Sequence, residues 1–335
     1  MRKTLALILA LCMIFALCAC GQEPVPPEET KEPTPGGEFD WSNITIGWCQ
    51  TDTQNNWKLK QQSSMEEAAK ARGCKLISTN AQGDTAKQCS DFEDLVAQKP
   101  DLIVIAPREY EGLTAGFEAA KAAGIPVIVV ERLVNATYGE DYVTCLTYDG
   151  VLEAVTAGNV LVETFKDQDD VKVVDVQGLP GGSPTIQRAE GLRTALEGHD
   201  NITIIDAQTG DYNRDAGYSI MEGMLQTWGK DGIDAVFAQM DDIAIGCCQA
   251  IKAAGLVPGK DILVFSIDGS NAGLEAVVAG EIECTPQCNP DYGEPTFELI
   301  EKYFKGEKLD PEYLMVEANF DKSNAQEALD KGLGY

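Results

Sequence analysis

Asp101-Leu-Ile-Val-Ile-Ala-Pro107 and Ile125-Pro-Val-Ile-Val-Val-Glu-Arg132 are short apolar runs that end on polar or turn residues. Between them, residues 113–123 carry apolar side chains at three- and four-residue spacing, the period of a helix with one buried face. A strand apolar along its whole length is covered on both faces, and a strand–helix–strand unit pairs its strands in parallel. The alternation continues outward on both sides. Strands are expected over 44–49, 75–79, 172–177, 203–207, 235–239 and 262–267, and helices over 57–71, 85–98, 151–165 and 243–254. The fold class is therefore α/β, with doubly wound parallel sheet.

A second, longer period runs through the chain. Lys75-Leu-Ile-Ser-Thr-Asn-Ala-Gln-Gly-Asp84 is echoed by Thr203-Ile-Ile-Asp-Ala-Gln-Thr-Gly-Asp211. A helix follows each copy, and then an apolar strand opening after an Asp, at Asp101 and at Asp234. Two similar lobes are expected. Open α/β sheets bind ligands beyond the carboxyl ends of their strands, so two lobes face to face would share one cleft.

The N-terminal segment stands apart from this alternation. Arg2 and Lys3 precede an apolar run from Leu5 to Leu17, a basic start and short apolar stretch typical of a secretory signal and too short for a membrane span. The run closes on Leu17-Cys18-Ala19-Cys20-Gly21, which resembles the bacterial lipobox. That resemblance implies removal of residues 1–19, a lipid on Cys20 and a location outside the cytoplasm, at the membrane surface. Residues 20–42 then read as a tether, with Pro24, Pro26, Pro27, Pro33 and Pro35 among several Glu residues. Such composition stays extended because it has too little apolar surface to bury.

Charge narrows the partners. Asp and Glu number 54 against 26 Lys and Arg, a formal net charge of -28, which repels phosphate backbones and argues against nucleic acid. Of eleven cysteines, eight lie beyond Cys20, and none is in a C-x-x-C pair. With His199 the lone histidine, a Cys/His zinc site is not expected, nor any other metal or cofactor. Cys49, Cys145, Cys247 and Cys284 sit in apolar surroundings and read as small core residues.

The residues just past the strands are rich in carboxylates, amides, guanidinium groups and Trp. Planar polar side chains can grip adjacent hydroxyls in pairs of hydrogen bonds, and an aromatic plate suits the C–H face of a sugar ring. Here a resemblance enters. Gly47-Trp-Cys-Gln-Thr-Asp-Thr-Gln-Asn-Asn-Trp57, Val104-Ile-Ala-Pro107, the run ending at Glu131-Arg132, and Asp241-Asp242 with Ile245-Gly246 resemble type I periplasmic sugar-binding proteins. So does Gly255-Leu-Val-Pro-Gly-Lys-Asp-Ile-Leu-Val-Phe-Ser-Ile-Asp-Gly269. Gln177-Gly178, Arg188 and Cys288-Asn-Pro290 are most similar to the galactofuranose-binding branch of the ribose-binding group.

The resemblance implies two lobes, residues 43–145 with 286–312 and residues 146–285 with 313–335, joined by a hinge of three crossover strands. It implies a monomer that closes on one monosaccharide, galactofuranose-like or another pentose or hexose, and delivers it to the permease subunits of an ABC importer. By motif position Trp57 is the stacking plate, Glu131 and Arg132 hold ring hydroxyls, and Arg188 reaches in from the second lobe. Asp268 takes a hydroxyl pair, and Gln287 stands where an acidic or amide group is expected. Two positions depart from the pattern. Met240 replaces the usual Asn before the Asp pair, and Lys58 replaces an Arg, exchanging a planar fork for a point charge.

Rival readings are weaker. No G-x-S-x-G or H-E-x-x-H motif is present to support an enzyme. A sugar-responsive repressor would open with a basic helix-turn-helix rather than a signal and an acidic stalk. A binding protein that feeds a membrane receptor or sensor kinase would carry the same closed lobes, and stays open as the alternative. Asp241 and Asp242 read as the first turn of a helix, and Gly181-Gly182-Ser183 as a turn and cap rather than a phosphate loop, because no Lys follows.

Overall fold

The structure, a computed structural model, describes residues 39–335; the leader, Cys20 and the tether as far as residue 38 lie outside them. Residues 39–42, read with the tether in the sequence, pack against the folded part. Phe39 stacks on Phe304 with ring centroids 5.6 Å apart, and buried Trp41 packs at 5.5 Å from Phe297. These aromatic contacts place residues 39–42 with the fold.

Two parallel sheets form the frame. The first holds β1 (Thr45–Gln50), β2 (Lys75–Asn80), β3 (Leu102–Ile105), β4 (Val127–Glu131), β5 (Thr144–Thr147) and β10 (Glu312–Leu314), in the order β10-β5-β4-β3-β1-β2. The second holds β6 (Val171–Gln177), β7 (Ile202–Thr209), β8 (Ala235–Ala238) and β9 (Leu263–Phe265), in the order β7-β6-β8-β9. Residues 283–288 run on beside β9, through Glu283 N to Val264 O, Ser266 N to Cys284 O and Asp268 N to Pro286 O. The two sheets thus repeat one order, and the echoed segments are β2 and β7, the corresponding edge strands.

Helices cover both faces, as the apolar strands require. In β3, Leu102 and Val104 belong to one core with Met65, Ala69 and Phe297, whereas Ile103 and Ile105 belong to another with Phe92 and Phe117. The two faces are built by α1 (Asn56–Arg72) with α9 (Gly293–Phe304), and by α2 (Thr85–Ala97) with α3 (Thr114–Ala123). In the second lobe α4 (Gly150–Phe165) packs on α5 (Ser183–Ala195), and α6 (Arg214–Trp228) on α7 (Asp241–Ala253), with α8 (Asn271–Val278) and the short α10 (Ala325–Asp330) beside them.

Three passages join the lobes: the turn between β5 and α4, residues 284–292, and residues 315–320. The last two pair with each other, Thr285 N donating to Phe320 O at 2.8 Å and Gln287 N to Ala318 O at 2.7 Å. Two lobe limits shift slightly from the sequence reading. Thr147 is hydrogen-bonded in register with Glu131 and with Leu314, so the first lobe runs to Thr147 and takes in all of β10.

Candidate ligand-binding site

The carboxyl ends of both sheets converge on a cavity between the lobes. Its wall comprises Asn55, Trp57, Lys58, Glu131 and Arg132 from the first lobe, Pro184, Arg188, Tyr212, Met240 and Asp268 from the second, and Tyr148 and Cys288 from the hinge. The lobes meet around it. Leu133 N donates to Ser183 Oγ at 3.1 Å, Tyr110 N to Gly181 O at 3.3 Å, and Asn55 Nδ2 to Tyr212 O at 3.5 Å.

Each wall residue has a local reason for its place. Asn55 caps α1 by accepting from Lys58 N at 2.9 Å, which sets Trp57 and Lys58 in the first turn. Trp57 is locked by its Nε1 donating to Cys288 O at 2.8 Å and by an edge contact to Tyr292. Glu131 ends β4 at φ 70° and Asp268 follows β9 at φ 139°. Backbone strain of this kind in non-glycine residues concentrates at functional sites. Arg132 Nη1 donates to Arg108 O at 2.7 Å while its guanidinium lies 5.7 Å from the Tyr212 ring. Tyr212 in turn needs Gly178, where an added Cβ would sit 2.0 Å from its ring.

The charges are arranged in two sets. In the first, Glu131 Oε2 takes the Lys58 ammonium and Gln61 Nε2, and Glu131 Oε1 lies 3.0 Å from Arg132 Nε at an angle that makes no hydrogen bond. In the second, Arg188 Nε donates to Glu153 Oε2 at 2.9 Å and Nη1 to Gln239 O at 2.6 Å, while Nη2 stands 3.7 Å from Asp268 Oδ1. Tyr335 donates its hydroxyl to Asp268 Oδ2 at 3.1 Å. Burial lowers the Lys58 ammonium, against the opposing pull of Glu131, and pushes the Asp268 carboxyl well up, against the pull of Arg188. Dry, partly paired charges of both signs can trade contacts with a polar neutral ligand.

Residues 46–308 match the family model of the periplasmic binding protein domain. The chain belongs to the periplasmic binding proteins. Among relatives it is similar to the galactofuranose-binding protein YtfQ of Escherichia coli, 33% identical over 87% of this chain and 93% of that one. It is also similar to the ribose import binding protein RbsB of Bacillus subtilis, 31% identical over 92% and 95%. Among solved structures, the binding component of the arabinose ABC transporter of Shewanella sp. ANA-3, bound to L-arabinofuranose, superposes with a TM-score of 0.82. It is 31% identical over 86% of this chain and 95% of that one.

In this periplasmic binding protein, six of the seven expected ligand residues, Trp57, Lys58, Glu131, Arg132, Arg188 and Asp268, line the cavity together. Gln287 is placed elsewhere. It is not in the wall, and its amide is used by the hinge, Nε2 donating to Leu333 O at 3.0 Å and Oε1 accepting from Ala318 N at 3.2 Å. Glu131 faces the cavity with its carboxylate already engaged by Lys58 and Gln61, so it orients its cationic neighbours before it meets any ligand.

Asp241 has the structural place expected of it. It accepts from Ser266, Ser270 and Thr285 hydroxyls, each at 2.7 Å, and pins β9, α8 and the hinge to one point. Sequence reasoning passed over Asn55, Tyr148, Pro184, Tyr212 and Cys288 as wall residues, and Tyr335 as the partner of Asp268. Tyr148 follows β5 and Tyr212 follows β7, so a stricter reading of strand ends would have found both. Among the described residues, no helix is long and apolar enough to cross a membrane.

Proposed function

We propose that this protein is an extracytoplasmic solute-binding lipoprotein, held to the membrane by a lipid on Cys20. It captures one monosaccharide between its lobes as a monomer and delivers it to the permease of an ABC importer. The observation that carries this reading is the cavity walled by both lobes and the hinge, where Trp57, Tyr148 and Tyr212 supply aromatic plates beside Lys58, Arg132, Arg188 and Asp268. A sugar needs both kinds of surface at once. Relatives named for galactofuranose and ribose support the same class of cargo.

Hinge closure is the mechanism. The sugar adds contacts that exist only when the second lobe meets the first, and so shifts an open–closed equilibrium by its differential affinity. No bond is made or broken, and the protein acts as a carrier rather than an enzyme. Met240 and Cys288 offer the wall soft apolar groups, so the edge of the sugar facing them carries C–H rather than a hydroxyl that needs a partner. Calorimetric titration of residues 39–335 with galactose, ribose, arabinose, xylose, glucose and inositol tests the reading. One-site binding to a member supports it, and silence across the panel from folded protein refutes the monosaccharide assignment.

A further inference from the structure

Arg188 reaches the cavity, and the group that holds it has an unexplained neighbour. Glu153 stands in the first turn of α4, Cys288 in the second passage between lobes and Glu317 in the third. One ligand atom from each lies within 4.8 Å of the others. Glu153 is 3% exposed and spends Oε2 on Arg188, while its Oε1 and the Oε1 of Glu317 are both buried without a hydrogen-bond partner. Two carboxylates this close and this dry repel each other, and one guanidinium neutralises only one of them.

A divalent cation would suit the oxygens but not the surroundings. The Arg188 guanidinium stands 2.8 Å from Glu153 Oε2, and burial holds the Cys288 thiol well above its ordinary range, against the thiolate a metal requires. A proton fits instead. It turns one carboxyl into a donor for the other's bare oxygen and leaves a single negative charge for Arg188.

We infer that Glu153 and Glu317 form a proton-binding site at the hinge, sharing one proton at neutral pH, and that this site positions Arg188 toward the cavity. Burial raises both carboxyls; Glu317 is pushed up to about 9, with the charge of Glu153 as the next cause. The titratable groups facing the pair are Arg188 on α5, Cys288, Tyr148, Tyr292 and Asp268, and Arg188 is the cation among them.

The sign follows from linkage. A carboxyl that titrates near 4.5 when unfolded and near 9 when folded stabilises fully below the first value. Between the two the folded state binds the extra proton, so the folding constant falls by up to about tenfold for each pH unit and levels off above. Glu317→Gln keeps the shape and a permanent donor, and removes that slope.

The test is denaturant unfolding of the full chain and its E317Q variant from pH 5 to pH 9, together with infrared spectra at pH 7. The two proteins are expected to be of similar stability near pH 5. By pH 8 the variant should be favoured by at least tenfold, and a protonated-carboxyl band seen in the wild type should be absent from it. A stability difference constant across pH, or spectra without that band in the wild type, would overturn the inference. Both readouts need no sugar, so they stand or fall separately from the proposed function, although the role given to Arg188 rests on that reading. Where a sugar binds, its affinity for the wild type should weaken as pH rises past about 9, and affinity for E317Q should not. Identical profiles would remove the link to Arg188.

Discussion

Asp268→Asn separates ligand binding from folding at the most constrained position of the cavity. Asp268 sits at φ 139°, and Asn tolerates positive φ about as well as Asp, so the backbone is not newly strained, as Ala would strain it. The amide oxygen still accepts from Tyr335, and Arg188 keeps its 2.8 Å contact with Glu153 and its bond to Gln239 O. Burial raises the Asp268 carboxyl strongly, which means the charged form is held at a cost. A neutral amide therefore leaves stability unchanged or higher.

Binding should move the other way. Hydrogen bonds to a charged group are worth about 1.5–3 kcal/mol against roughly 0.5–1.5 for neutral ones, so each sugar hydroxyl held by the carboxylate loses about 1 kcal/mol or more. Two hydroxyls lose about 2–3 kcal/mol, or roughly thirty- to 150-fold in Kd at 1.4 kcal/mol per tenfold. Calorimetry for the sugar and thermal unfolding for the fold read the two effects. Wild-type affinity in the variant would remove Asp268 from the ligand shell. A weakened ligand together with a lowered Tm would show that the carboxylate supports the lobe instead.

Three further outcomes follow from the same geometry. Trp57→Ala should weaken sugar binding by at least tenfold in calorimetry, because the plate and its bond to Cys288 O go together; unchanged affinity would make the indole a packing residue only. Arg188→Ala should destabilise by about 3–5 kcal/mol in denaturant titration, since Glu153 is left buried without its cation. A loss below about 1 kcal/mol would mean that the pair is solvated. The eight cysteines of residues 39–335 are free thiols, with Cys74 and Cys89 half-buried and the other six buried. A thiol reagent should reach only those two in the native protein and all eight after unfolding, Cys49 and Cys145 being held back by burial that pushes each to about 12. Fast native labelling of more than two would contradict the packing.

The strands that could be read in advance are those apolar on both faces. Leu102 to Ile105 and Val127 to Val130 feed two cores at once, and a short, β-branched run of this kind suits a covered parallel strand. β5 and β10 escaped notice because Thr144, Thr147 and Glu312 interrupt their apolar character, and their pairing with each other joins residues 167 apart in the chain. Trp57, Arg132, Arg188 and Asp268 were legible because each stands at or just beyond a strand end or within the first turns of the helix that follows. Gln287 stands in the same class of position, but its amide is engaged by Ala318 N and Leu333 O, contacts made across the hinge.

The sequence by itself determined the class of fold, the doubling into two lobes and most of the polar wall of the cavity, because periodicity and strand ends are local properties of the chain. Only the tertiary structure decided how charges pair: that Glu131 is spent on Lys58, that Glu153 and Glu317 meet beside Arg188, and that Tyr335 reaches Asp268. Such pairings are set by the packing of elements far apart in the chain, where burial strips away water and leaves each ionised group dependent on whichever partner the fold brings within reach.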